Sequence, residues 1–295
     1  VVKLLFVLGV GRSGTTLLQS MLASHMSVVA LPETGFLRRH VLSGSSHQED
    51  WRSDQRLDRL SPDLRSAVWS SRPETPDSFY RSMVRQAAQT ATDAAYVLDK
   101  DPRLIEYVPD LFAAFPDAQV LHIVRDPRDV LLSKGSASWS SHRPWWFNLA
   151  VGTMQINDVE RGLSQSHRWS VQTIRYEDLL SQPEAILRRL TTALALDFDA
   201  NMTAFAEAGQ RLVSEDERTW KRHVGGPLLT DNTGKWRNGL SGLQIEVCDR
   251  VLQRAMRRYH YEPHAHRSPW RGFIAGIVAL VVRAASILLR LPVFR

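Results

Sequence analysis

The sequence contains almost no cysteine, and this scarcity limits both the compartment and the chemistry. Cys248 is the single cysteine in 295 residues, so no disulfide can form within the chain, and a reducing compartment such as the cytoplasm is favoured. Histidines are more frequent, but the "HAH" at 264–266 has no second His/Cys cluster to complete a binding site. The sequence therefore predicts no metal site.

The body of the chain also lacks a net charge. The formal net charge is +6, yet residues 257–295 carry seven arginines against one acidic residue, Glu262, and the preceding residues balance. A nucleic-acid-binding surface needs lysine and arginine spread over the folded body together with aromatic platforms. We therefore expect no nucleic-acid partner.

Neither an internal repeat nor a low-complexity tract interrupts the chain. The first residues, "VVKLLFVLGV", pass directly into a glycine loop without a small-residue cleavage site, so no secretory signal is expected here. With 43% hydrophobic and 23% charged residues, the composition is that of a globular protein with one large core. We expect one domain over residues 1–265, with Pro- and Ser-rich loops framing an irregular insertion at about 42–78.

Short apolar runs alternate with helical patterns along this domain. The apolar runs predict strands at 1–8, 28–31, 96–98, 119–124 and 170–175. The helical patterns lie near 16–26, 103–115, 128–137 and 183–195. This alternation predicts an α/β fold with three layers, in which a mainly parallel central sheet is flanked by helices. Ligands of such sheets bind outside the carboxyl ends of the strands.

A glycine loop, "GVGRSGTTLL" at residues 9–18, follows the first predicted strand. It has the spacing of a phosphate-binding loop but lacks the usual lysine, because Thr15 stands in that position and Arg12 lies inside the loop. Its glycines allow a tight turn, and the helix that follows directs backbone N–H groups towards an anion. The pattern alone leaves two interpretations open, a phosphate loop and a plain strand-to-helix turn.

Ionic residues follow the next three predicted strands. Glu33 follows the second strand, Lys100 the third and Arg125 the fourth, with Ser133 eight residues further on the next helix. Each alone is explained by an ordinary surface role or local ion pair. Because parallel strands end at one edge of the sheet, we expect these residues to converge with Arg12 on one crevice.

Two of these motifs together resemble the sulfotransferases that use 3′-phosphoadenosine 5′-phosphosulfate (PAPS). The glycine loop is similar to their 5′-phosphosulfate loop, and "IVRDPRDVLLS" is similar to their 3′-phosphate motif. Further similarity lies in "DKDP", "IRYEDLLSQPEAILRRL" and "GKWRNGL", so the resemblance covers residues 3–262. It resembles most the branch that includes protein-tyrosine sulfotransferases and bacterial small-molecule enzymes, and it implies a fold of P-loop type.

The resemblance implies PAPS as co-substrate and no metal. The residues implied to bind PAPS are Gly11, Arg12, Ser13, Gly14, Thr15, Thr16, Arg125, Ser133, Tyr176, Lys235, Trp236 and Arg237. The implied catalytic residues are Arg12, Lys100 and Glu33. Glu33 takes the place of the base, with substrate orientation as the alternative, because the histidine that aryl and steroid sulfotransferases use is replaced by Pro102. Two departures are the absence of an R-K-G triplet before "GKWRNGL" and Gly11 where the family usually has proline.

The last residues form a separate feature, "FIAGIVALVVRAASILL" at 273–289. Arg283 interrupts this apolar run, and arginines flank it at 271 and 290. A spanning helix needs about 20 apolar residues and tolerates a central arginine poorly. Three interpretations stay open for a 266–295 tail: an interfacial helix on anionic lipid, a spanning helix, and a helix packed on the protein. The first would place a cytoplasmic enzyme on the inner face of the membrane.

Three functions remain open. The favoured one is a PAPS-dependent sulfotransferase that acts on a hydroxyl of a small-molecule or lipid-like acceptor. The alternatives are a P-loop kinase-like phosphotransferase and a non-catalytic, membrane-associated nucleotide-binding module. The acceptor is expected to contact the loops at 36–80, 138–150 and 205–232, whose composition does not identify it, and neither does the sequence predict an oligomeric state.

Overall fold

Five parallel strands form the central sheet. The computed structural model describes residues 2–43, 50–165, 171–214, 225–264 and 269–291. The strand order across the sheet is β2-β3-β1-β4-β5, and every neighbouring pair is parallel. The strands are β1 (Lys3–Leu8), β2 (Val28–Ala30), β3 (Tyr96–Asp99), β4 (Gln119–Val124) and β5 (Val171–Arg175). All five predicted strands are therefore present, and residues 1 and 170 of those predictions lie outside the described residues.

Helices cover both faces of the sheet, which confirms the predicted three-layer α/β fold. On β1, Phe6 and Leu8 belong to the core on one face, whereas Leu5 and Val7 belong to the core on the other face. The described helices are α1 (Thr15–Ala23), α2 (Pro62–Ser70), α3 (Pro76–Ala88), α4 (Val108–Ala114), α5 (Pro127–Gly135), α6 (Trp145–Gln165), α7 (Tyr176–Ser181), α8 (Pro183–Ala193), α9 (Ala206–Leu212), α10 (Trp236–Gly239), α11 (Gly242–Val251), α12 (Gln253–Arg258) and α13 (Pro269–Leu288). Because β1 is buried on both sides, its sequence is a continuous apolar run.

Two sequence predictions about local structure are wrong. The helix expected over 103–115 is divided into a 3₁₀ turn, Pro102–Glu106, and α4, because Pro109 has no N–H to continue the turn. The insertion expected to be irregular at 42–78 contains α2 and the start of α3. Ser61 and Thr75 cap these two helices, and a proline follows each cap at the first helical position.

The last helix, α13, packs on the body of the protein with one face. Its buried residues Ala275, Ala279 and Val282 join the core cluster formed with α6 and α11. The opposite face exposes large apolar side chains, among them Trp270 at 79% and Phe273 at 67%. By length and composition α13 is the one described helix apolar enough to cross a membrane, with a mean hydropathy of 1.8.

The arginines of this helix are engaged by the protein. Arg283 Nη2 donates to the carbonyl oxygen of Arg250 at 2.5 Å, and Arg290 Nε lies 2.9 Å from Asp158 Oδ1. These contacts reduce the positive charge that the two guanidinium groups offer to anionic lipid, and the interfacial interpretation of this helix stays a prediction. The predicted boundary at 265/266 lies outside the described residues and also stays a prediction.

Candidate active site

The glycine loop between β1 and α1 has a tightly constrained backbone. Arg12 and Gly14 have positive φ angles of 81° and 93°, a conformation that a non-glycine residue such as Arg12 adopts only with strain. A Cβ on Gly14 would lie 2.3 Å from Tyr176 Cδ2, and one on Gly9 would lie 2.7 Å from the carbonyl oxygen of Ile123. The loop therefore fits closely against the neighbouring elements.

The start of α1 is available to an anion. Among the described residues no side chain caps this helix, and its first turn contains no acidic residue. The N–H groups of the first turn therefore lack side-chain acceptors, and the helix dipole adds positive potential. Thr15 and Thr16 lie at this end and line the cleft together with Gly11, while Ser13 is buried behind the loop.

Two arginines and a serine meet beside this loop, as the sequence predicts. Arg12 Nε donates to Ser133 Oγ at 3.0 Å, and Arg125 Nη1 donates to the carbonyl oxygen of Arg12 at 3.1 Å. Arg125 Nη2 donates to the carbonyl oxygen of Asn232 at 2.8 Å, and its guanidinium carbon lies 4.4 Å from the centre of the Tyr176 ring. Arg125 Nε is buried and has no hydrogen-bond partner within the described part of the chain.

The electrostatics of this cluster favour an anionic ligand. Burial lowers the pKa of the Arg12 guanidinium, and the neighbouring Arg125 lowers it further. The two guanidinium groups repel each other, and an anion bound between them would offset this repulsion. The unpaired Arg125 Nε is the type of donor that a phosphate oxygen satisfies.

Lys100 and Glu33 form an ion pair on the other side of the glycine loop. Lys100 directly follows β3 and is completely buried, and its Nζ donates to Thr16 Oγ1 at 3.2 Å and to Glu33 Oε2. Glu33 follows β2 and lines the cleft, and Arg59 Nη1 donates to its backbone carbonyl oxygen. The buried ammonium thus connects the start of α1 with the carboxylate that the sequence identified as the candidate base.

The "GKW" segment at 234–236 is held in place by Asp129 of α5. The backbone N–H groups of Gly234 and Trp236 donate to the two carboxylate oxygens of Asp129 at 2.7 and 2.9 Å. The Trp236 ring is buried, with the guanidinium carbon of Arg128 at 3.8 Å from its centre. Trp236 therefore packs beneath the site and does not line the cleft.

The two basic neighbours of Trp236 also lie outside the cleft. The side chains of Lys235 and Arg237 are exposed and do not line the cleft. Asn232, the last residue of the loop expected at 205–232, does line it, and its Nδ2 donates to Tyr176 Oη at 2.8 Å. No motif in the sequence marks this residue, because its contacts to Arg125 and Tyr176 join distant segments.

One cleft of about 810 Å³ borders the glycine loop, the two arginines Arg12 and Arg125, and Glu33, and it extends beyond them. At the glycine loop its lining includes Arg12, Thr16, Glu33, Arg125 and Tyr176. The lining residues Arg103, Lys134, Trp139, Arg143, Phe147 and Gln155, which come from the Pro102–Glu106 turn, α5, α6 and the segment between these two helices, are called here the second arm. The volume lies within the range of small-molecule and cofactor sites. Within the described residues, no group of three or more His, Cys, Asp or Glu side chains forms a candidate metal site.

Fold and site together define an α/β protein of P-loop type with a cleft, lined by several arginines, at the carboxyl edge of its sheet. The model of the sulfotransferase family matches residues 5–200. The chain belongs to the sulfotransferase family, as the sequence motifs predicted.

Curated relatives and solved structures agree with this membership. The chain is 26% identical to protein-tyrosine sulfotransferase 1 of Danio rerio, over 89% of this chain and 73% of that protein. It is 26% identical to the nodulation protein NoeE of Sinorhizobium fredii, over 65% of this chain and 50% of that protein. A similarly distant relative, an uncharacterized protein of Aquifex aeolicus, is matched over only 24% of its own length.

Two solved structures share the fold. The sulfotransferase domain from the curacin biosynthetic pathway has a TM-score of 0.64 at 19% identity, covering 90% of this chain and 99% of that domain. The sulfotransferase domain of the Synechococcus PCC 7002 olefin synthase has a TM-score of 0.61 at 23% identity, covering 81% and 89%. At these identities the structural similarity concerns the fold alone.

Proposed function

We propose that the protein transfers a sulfuryl group from PAPS to a hydroxyl of a small-molecule or lipid-like acceptor. The observation that carries this proposal is one cleft lined by Arg12, Arg125 and Glu33. Ser133 accepts from Arg12, and the buried Lys100 pairs with Glu33. The cluster supplies donors for two separate anionic groups of the nucleotide, and the pair supplies a carboxylate for the acceptor.

The donor site fits the two ends of PAPS. The N–H groups at the start of α1, with Thr15 and Thr16, bind the 5′-phosphosulfate, as helix starts bind phosphate groups generally. Arg125 and Ser133 bind the 3′-phosphate, for which the unpaired Arg125 Nε is the available donor. Tyr176 supports this arrangement by packing on Gly14 and on the Arg125 guanidinium.

In the transfer step, PAPS supplies the sulfuryl group. The acceptor oxygen forms a bond to sulfur, and the bond from sulfur to the bridging oxygen of the 5′-phosphate breaks. The electron pair of the broken bond stays on that oxygen, where Arg12 and Lys100 stabilise the charge as preorganised donors. Glu33 accepts the acceptor's hydroxyl proton. The products are a sulfate ester and 3′,5′-ADP.

Ligand binding and turnover together test this function. 3′,5′-ADP should raise the melting temperature of the protein, and ATP with Mg²⁺ should not. Incubation with PAPS and a metabolite and lipid extract should give products whose mass has increased by one sulfuryl group. Protection by ATP with Mg²⁺ alone would favour a kinase-like phosphotransferase, and binding of 3′,5′-ADP without turnover would favour a non-catalytic module.

For localisation, we infer that the exposed face of α13 lies on a membrane surface with the chain in the cytoplasm. The inference depends on the solvent-exposed Trp270, Phe273 and Leu280, whose burial in the interface is favourable. Leu289, directly after this helix, lines the cleft. A lipid-like acceptor would therefore find the cleft beside the membrane-facing surface.

A further inference from the structure

Lys134 is a buried cation in the second arm of the cleft. It follows Ser133 on α5, and only 3% of its surface is exposed. Its Nζ lies 3.7 Å from the position that a Cβ on Gly152 of α6 would occupy, so the ammonium lies against this face of α6. Within the described ranges the ammonium has no hydrogen-bond or ion-pair partner.

Glu106, the acidic group whose charge acts on Lys134, is already occupied. Its Oε1 accepts from Arg103 Nε at 3.1 Å and from Gln155 Nε2 at 2.7 Å, and its Oε2 accepts from Arg103 Nη2 at 2.9 Å. Gln155 Oε1 is in turn buried without a partner in the described part of the chain. The same arm thus contains an unpaired cationic donor and an unpaired neutral acceptor.

These two groups lie on one wall of the cleft. Gly152, over which Lys134 lies, and Gln155 are three residues apart on α6 and therefore share one face of that helix. Both Lys134 and Gln155 line the cleft. Trp139 and Phe147 provide apolar surface in the same arm, and Arg143 lies there as a further cation.

Leaving Lys134 in this position has an energetic cost. Burial lowers the pKa of its ammonium to about 8, because the charged form loses its hydration, and the positive charge of Arg143 lowers it further against the opposing effect of Glu106. At neutral pH the group is still a cation without a counter-ion. Buried charges are usually paired, and an unpaired one in a cleft marks a site for a ligand of opposite charge.

We propose that Lys134 and Gln155 bind a phosphate monoester group of the acceptor, at a distance from the hydroxyl that is sulfated. A phosphate oxygen accepts from Lys134, and the remaining hydroxyl of a singly protonated phosphate donates to Gln155 Oε1. The apolar part of the acceptor contacts Trp139 and Phe147. This assignment rests on the proposed function, because the subsite belongs to the acceptor arm of the same cleft.

Binding of inorganic phosphate to protein saturated with 3′,5′-ADP tests the subsite without turnover. Calorimetry should detect phosphate binding to the wild type, and K134M should weaken it at least tenfold. The matched control is K3M, which removes the same charge from an exposed position on β1 and should bind phosphate like the wild type. Inorganic sulfate, which carries no proton at neutral pH, should bind the wild type more weakly than phosphate does.

The thermal stability of the variants separates a binding role from a structural role. Because K134M removes an uncompensated buried charge, its melting temperature should equal or exceed that of the wild type. Equal phosphate affinity in K134M and the wild type would overturn the subsite while leaving 3′,5′-ADP binding intact. Failure of the wild type to bind 3′,5′-ADP would instead refute the proposed function.

Discussion

Replacement of Arg125 by alanine tests whether this residue gives the proposed donor site its preference for PAPS over ordinary adenine nucleotides. The side chain offers a buried, unpaired Nε and two Nη atoms that donate to the carbonyl oxygens of Arg12 and Asn232. A charge-assisted hydrogen bond to a phosphate is worth about 1.5–3 kcal/mol. Loss of one such bond corresponds to a loss of affinity of about 10- to 150-fold. The loss should apply only to nucleotides that carry a 3′-phosphate.

The assay is calorimetric titration with 3′,5′-ADP and with 5′-AMP. R125A should weaken 3′,5′-ADP at least tenfold more than 5′-AMP, and R125K should lie between R125A and the wild type, because lysine keeps the charge but not the planar fork. R188A is the matched control, because Arg188 is an exposed residue of α8 paired with Glu184. Equal losses for both nucleotides would refute the 3′-phosphate assignment, since they would mean that Arg125 acts by holding the backbone of Arg12.

Three further predictions concern the Lys100–Glu33 pair, the glycine loop and the pH dependence of stability. E33Q should retain 3′,5′-ADP affinity while turnover falls about 100-fold or more, and near-normal turnover would place the base elsewhere. G14A should destabilise the protein by about 2 kcal/mol or more and weaken the binding of 3′,5′-ADP, because residue 14 has a positive φ angle and its new Cβ would clash with Tyr176. The control is G135A, whose Cβ would meet nothing within 4 Å. Burial raises the pKa of Asp99 to about 7 and lowers that of His122 to about 4. As the pH rises from 4 to 7, Asp99 therefore lowers the free energy of unfolding, and as it rises from 4 to 6.5, His122 increases that free energy. Each effect is at most about 1.4 kcal/mol per pH unit. The two slopes should nearly cancel in the wild type, and urea unfolding of D99N should show stability that rises over pH 4.5–6.5; an unchanged pH profile would contradict these shifts.

The central part of the site was predictable because it depends on chain topology. Once short β-branched runs predict parallel strands, the residues after them must meet at one edge of the sheet. Glu33, Lys100 and Arg125 stand at such positions, and the structure brings each of them to the cleft or to its immediate boundary. The glycine pattern likewise predicts the loop, since few other residues fit its positive φ angles and close contacts.

The rest of the cleft was less predictable because its contacts join segments distant in sequence. Arg38 Nε lies 2.7 Å from Asp101 Oδ2, although 63 residues separate them. Gln155 enters the cleft from the middle of α6. Trp236 shows a limit of motif resemblance. The motif implies that the residue lies near the donor, but it cannot distinguish a ring that lines the cleft from one that packs beneath it.

The last prediction concerns how α13 meets a membrane. From the sequence, anionic lipid was expected to attract Arg283 and Arg290, which would make binding strongly dependent on salt. In the structure the protein engages both guanidinium groups, so insertion of the exposed apolar side chains should dominate.

Vesicle flotation should therefore detect binding that survives 0.5 M salt, and neutral phosphatidylcholine vesicles should bind the protein as well as anionic ones. The variant W270Q/F273Q/L280Q keeps the buried face of the helix, so it should stay folded, and each lost side chain contributes about 1–2 kcal/mol of insertion energy. Vesicle binding should consequently fall at least 100-fold while 3′,5′-ADP binding is retained. Binding that disappears in salt would restore the electrostatic mechanism, and absence of vesicle binding altogether would assign this face to a protein partner.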